Sequence, residues 1–141
     1  MVAALLHASG DATAAAQADV EAAHCIDLFN AAFLRVPGGA LYQGSKASYG
    51  DGDQSSNAIA AAFGFVPGGR SLDWGSPYRS VLERLRLDVL YGQNAHANGG
   101  IFGQRAALQC LADDVPELAF ELVTTSSYPS YGYMLLSLIH I

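Results

Sequence analysis

Charged side chains are scarce in this chain of 141 residues: they make up 14%, against 51% hydrophobic. Cations are scarcer still, with one lysine, Lys46, and six arginines facing 13 acidic groups, for a net charge of −6. So few positive charges cannot neutralise many phosphates, which argues against a nucleic-acid partner. No apolar run approaches the roughly 18 residues of a membrane-spanning helix, which argues against a membrane partner. The N-terminal apolar run, Met1 to Leu6, is too short for a signal-peptide core. There are only two cysteines, Cys25 and Cys110, and no Cys-x-x-Cys pair. The expectation is two buried, reduced thiols, which identify no compartment. Gly38-Gly39 and Gly68-Gly69 are not followed by Gly-Lys-Ser/Thr, so neither is a phosphate loop. Sustained period-two alternation is missing too, which favours an all-α chain. What is abundant is apolar surface, and that excludes a disordered tail. A complete small domain usually carries more surface charge. The expectation is therefore a slice of a larger fold, with faces meant for a neighbour.

Helices joined by glycine-rich loops account for the pattern. A short one covers about 2–9 and ends at Gly10. The next runs from Ala12 to Leu34 with Asp11 as its cap. Ala18, Ala22, Cys25, Ile26, Phe29 and Phe33 make its apolar stripe. Pro37-Gly38-Gly39 stops it, and a long loop carrying Tyr42 and Tyr49 runs to about Gly52. Asp51 or Asp53 caps a helix from Gln54 to Phe63, which Gly64 ends. Ser76-Pro77 starts another, with Tyr78, Val81, Leu82, Leu85 and Val89 on one face as far as Tyr91. A helix over about 101–112 follows. Asp114 with Glu117 then resembles a capping box for a last helix to Thr125. Adjacent helices joined in this way are expected to pack as antiparallel hairpins, in a hairpin array or an α/α barrel.

Three segments carry possible chemistry. The loop from Tyr91 to Gly100 gathers Gln93, Asn94, His96 and Asn98. Amides and imidazole both donate and accept, which suits sugar hydroxyls; the same residues also suit a plain helix-connecting turn. His96 has no second ligand at metal spacing, so no metal site is expected. His7, His24 and His140 look incidental. Asp51-Gly52-Asp53-Gln54 offers two carboxylates for acid–base work, or simply a helix cap. Tyr128, Tyr131 and Tyr133, spaced by Pro129 and Gly132, form either an aromatic wall for a sugar ring or a packed loop.

Taken in order, these segments resemble the six-hairpin catalytic domain of bacterial α-L-rhamnosidases. Tyr49 to Ala58, running on to Ala62-Phe63-Gly64-Phe65-Val66-Pro67, is similar to that family's Gln-Thr helix and its Gly-Leu-Val-Pro end. His96-Ala97-Asn98-Gly99-Gly100-Ile101-Phe102-Gly103 is similar to its His-x-x-Thr-Gly-Ile-x-Gly loop, with Gly99 where Thr is usual. Leu111-Ala112-Asp113, then Leu118 to Leu122, then Tyr128 to Met134 resemble the next helices and an aromatic Pro-x-aromatic-Gly-Tyr-Met turn. The resemblance implies a partial (α/α)6 barrel over 1–134. It implies hydrolysis of terminal α-L-rhamnosides with inversion and no essential cofactor.

Residues 135–141 depart from the family, where a Gly-Ala-Thr-Thr-x-Trp-Glu segment supplies the general base; they read as a truncation or sequence scar. The acidic motif that supplies the general acid lies upstream of Met1 in the family's order. Inversion needs two facing carboxyl groups, and neither role matches a position here. The expectations are thus an inactive chain and no catalytic residue. His96, Gln54, Tyr128 and Tyr131 are the expected substrate contacts. The partners would be a rhamnose-containing glycoside or polysaccharide and the rest of the barrel. Apolar faces without that partner should cause self-association or a molten state. The competing readings are another six-hairpin carbohydrate enzyme and a non-catalytic helical-repeat module.

Overall fold

The computed structural model describes residues 2–36 and 47–137. Among them are seven α-helices and one pair of two-residue strands. The Pro37-Gly38-Gly39 stop, most of the long loop after it, His140 and the end of the apolar tail lie outside the described residues.

The chain divides into two compact units, residues 1–33 and 34–141. The first holds α1 (Val2–Ser9) and α2 (Ala12–Phe33), packed on each other. Gly10, with φ +84°, turns the chain between them. The Asp11 side chain accepts the Ala14 N–H at 3.0 Å, as its capping role requires. His7, read as incidental, contacts Asp19 at 3.0 Å across the pair. Only Ala15 of α2 is buried, and none of the expected stripe is. Cys25, expected to be buried, is exposed. Periodicity identifies the apolar face of a helix; it does not supply the neighbour that covers it.

In the second unit β1 (Leu34–Arg35) pairs antiparallel with β2 (Ser48–Tyr49), Leu34 opposite Tyr49. Then come α3 (Gln54–Ala62), α4 (Pro77–Leu87), α5 (Gly100–Asp114), α6 (Pro116–Thr124) and α7 (Tyr131–Leu136). The all-α class stands, the two short strands aside. Asp53 caps α3, its carboxylate accepting the Ser56 N–H at 2.8 Å and the Ser56 hydroxyl at 2.9 Å. Ser76 caps α4 with Pro77 in its first turn, and the whole expected face from Tyr78 to Val89 is buried.

Within this unit sequential helices touch, yet the most extensive packing joins α3 to α5, two helices on. Small residues make this possible. Ala58, Ala61, Ala106, Ala107 and Cys110 are buried, and a Cβ on Gly103 would lie 2.6 Å from the Ser55 hydroxyl. The Cys110 thiol reaches the Ala58 carbonyl at 3.7 Å.

The expected capping box at Asp114 does not form. Asp114 belongs to the last turn of α5, and Val115 precedes α6 without a side-chain cap. The Asp114 carboxylate instead accepts from the Tyr78 hydroxyl at 2.6 Å and from Arg70 at 2.7 Å, while Arg70 also donates to Asp113 at 2.9 Å. Burial and the Asp114 bond hold the Tyr78 phenol well above its ordinary range. Tyr131 and Tyr133, expected in an aromatic wall or a packed loop, lie in a helix that Ser130 caps, its side chain accepting the Tyr133 N–H at 3.0 Å.

Candidate functional site

The last turn of α4 widens into a π-helical turn, Asp88–Gly92, which delivers the chain into the loop that bears His96. Gln93 and Ala95 donate back to the carbonyls of Asp88 and Val89, at 2.9 and 2.8 Å. Asn94 and Ala95 sit in the left-handed region, φ 50° and 59°. That conformation is costly for a residue with a side chain and persists only where contacts hold it.

Those contacts are specific. Gln54, in the first turn of α3, is 1% exposed. Its amide nitrogen donates to the His96 carbonyl at 3.2 Å, and its amide oxygen accepts the Asn98 N–H at 3.0 Å. The Gln54 backbone N–H donates to Asp88, whose carboxyl is nonetheless raised, chiefly by desolvation.

The His96 ring reaches the segment after α6. Its Nδ1 lies 2.8 Å from the Gln93 carbonyl, and its Nε2 lies 2.9 Å from the Ser127 hydroxyl and 3.2 Å from the Ser127 carbonyl. Each ring nitrogen faces a carbonyl, which only accepts, and Nε2 also faces the Ser127 hydroxyl, which can donate or accept. One imidazole thus pins together two loops that lie far apart in the chain. Between them opens a recess of about 310 Å³, lined by Gln93, Asn94, His96, Asn98, Tyr128 and Pro129, among others. That volume is at the lower end of small-molecule sites, and the lining offers amides, an imidazole and a phenol.

Of the four expected contacts, His96 and Tyr128 therefore meet at one recess. Tyr131 and Gln54 do not line it. The Tyr131 hydroxyl donates to the Gln104 amide oxygen at 2.7 Å, which ties α7 to α5. Tyr133 stands edge-on to Tyr128, ring centres 5.4 Å apart. Asp53 is engaged as the α3 cap, and Asp51 is exposed. Sequence reasoning missed Ser127, while the amides it gathered in this loop, Gln93, Asn94 and Asn98, do share one wall. The Asn and Gln content of 93–98 was the available signal. Among the described residues, no cluster of three His, Cys, Asp or Glu is placed to hold a metal ion. No described helix is long and apolar enough to cross a membrane.

The model of the bacterial α-L-rhamnosidase six-hairpin glycosidase domain matches residues 1–137. The chain belongs to this family. The chain is also similar in fold to a solved structure, the α-L-rhamnosidase from Dictyoglumus thermophilum. It superposes with a TM-score of 0.77 at 22% identity, over 96% of this chain and 14% of that one. This chain thus spans a small part of that enzyme's length. A comparison with curated proteins finds no match.

Proposed function

We propose that this chain forms wall and rim of a barrel that removes terminal α-L-rhamnose from glycosides or polysaccharides with inversion, and that its recess holds one sugar ring. The observation that carries the reading is the meeting of His96 and Tyr128 at a recess lined by amides. Membership of the rhamnosidase family supports the sugar class. In this reading Tyr128 offers an aromatic face, while Gln93, Asn94 and Asn98 lie within reach of hydroxyls. A sugar hydroxyl at His96 Nε2 would share or replace the Ser127 hydroxyl. The rest of the barrel supplies both catalytic carboxyl groups, so this chain alone does no chemistry.

Kinetics on a full-length enzyme containing this segment test the reading. His96→Ala is expected to lower kcat/KM by roughly tenfold, the worth of one good hydrogen bond. His24→Ala, on an exposed part of α2, should leave it unchanged. Equal and negligible effects would sink the proposal. The 141-residue chain should release no p-nitrophenol from the α-L-rhamnoside. Turnover that disappears in Asp51→Asn or Asp53→Asn would place the acid–base pair here instead.

A further inference from the structure

We infer that Gln54 is a positioning residue: its buried side-chain amide fixes the His96–Asn98 backbone and thereby sets the His96 ring and the recess wall. This rests on the recess being a sugar site.

The geometry allows one amide orientation. The nitrogen faces the His96 carbonyl and the oxygen faces the Asn98 N–H, at 3.2 and 3.0 Å. Flipped, donor would meet donor and acceptor would meet acceptor. The clasp stands on a firm base. Gln54 opens α3, its neighbour Asp53 caps that helix, and its own N–H is held by Asp88. What it clasps follows directly on the strained part of the loop, Asn94 and Ala95 with their positive φ. From there His96 carries the alignment across to Ser127 and so to Tyr128. A group that both donates and accepts at this point fixes the loop backbone on both sides of Ala97. A group that does only one of these cannot.

Gln54→Glu separates the two functions of the amide. Its carboxylate still accepts the Asn98 N–H but has no proton for the His96 carbonyl. Acidification returns that proton. Burial and the nearby Asp88 push the introduced carboxyl upward, into an accessible pH range. The other titratable or charged groups around it are Asp53, Asp88, Arg84 and His96, all shared with the native chain. The ratio of variant to native at each pH therefore isolates position 54.

Two readouts are taken on the 141-residue chain: amide hydrogen exchange at His96 and Asn98, and the affinity for L-rhamnose. At neutral pH, Gln54→Glu should exchange these amides roughly threefold to tenfold faster and bind L-rhamnose weaker by a similar factor. Both should return towards native values on acidification. Native-like exchange at neutral pH, a loss that acid does not reverse, or a loosened loop with unchanged affinity each overturns the inference. Should the native chain bind no L-rhamnose, the sugar reading fails, and the exchange ratio alone decides the clasp. If circular dichroism finds the variant unfolded, the native chain decides: an Asn98 amide exchanging at the unprotected rate would overturn the clasp.

Discussion

Cys25 and Cys110 stand at opposite extremes of access. Cys110 is 0% exposed, and desolvation pushes its thiol up to about 11. It should be inert to a disulfide reagent at neutral pH until the chain unfolds. Cys25 should be titrated within the dead time of the same assay, one thiol per native chain and two in denaturant. Two fast thiols in the native chain would contradict the packing of α5 on α3. The pair also marks how far single residues can be read from sequence. Both looked like buried apolar thiols, and only one has a neighbour. The same holds at the site. His96 and Tyr128 stood out by their chemistry, but that they share a recess depends on Ser127, which nothing local announces. Gln54 looked like a hydroxyl contact because it opens a helix; its burial comes from a loop about forty residues on.

At the scale of elements, α3 and α5 approach so closely that Gly103 has no room for a methyl group, which would fall 2.6 Å from the Ser55 hydroxyl and 2.9 Å from its Cβ. Gly103→Ala should gain about 1 kcal/mol of helix propensity yet lose about 1–3 kcal/mol to overpacking. The net expectation is a lower Tm by thermal melt, and a raised Tm would contradict the contact. The π-helical turn offers a test of sign. Desolvation raises the Asp88 carboxyl in the folded state above its unfolded value, with Arg84 and the Gln54 N–H opposing. Between the two values the native state holds the extra proton, so this group's contribution improves as pH falls and is a cost at neutral pH. Glu83 is lowered by its bond to Arg86 and acts with the opposite sign, in wild type and variant alike. Asp88→Asn should therefore raise Tm at neutral pH and flatten the gain on acidification; a steeper gain would reverse the assignment. Helix starts were legible wherever the signal was local, as at Asp11, Asp53 and Ser76. Asp114 was misread because its partners, Arg70 and Tyr78, lie far back in the chain and compete for the same carboxylate.

For the molecule as a whole, the low charge of the sequence has a visible counterpart. Ile101 and Phe102 on α5 are 87% and 82% exposed, and Phe63, Phe120 and Leu135 are exposed as well. Such surface drives association unless something covers it. The chain alone should sediment as concentration-dependent oligomers and bind a hydrophobic dye. A monomer without dye binding would show that these side chains are tolerated in water. The pin between His96 and Ser127 has a further corollary. The two residues lie 31 positions apart, and almost all of that interval is α5 and α6. One residue inserted within a helix turns everything beyond it by about 100° and advances it by about 1.5 Å. The interval therefore works as a ruler: its length, more than the identity of the side chains on its outer faces, sets whether His96 and Ser127 meet, and a residue gained or lost there is expected to dismantle the recess.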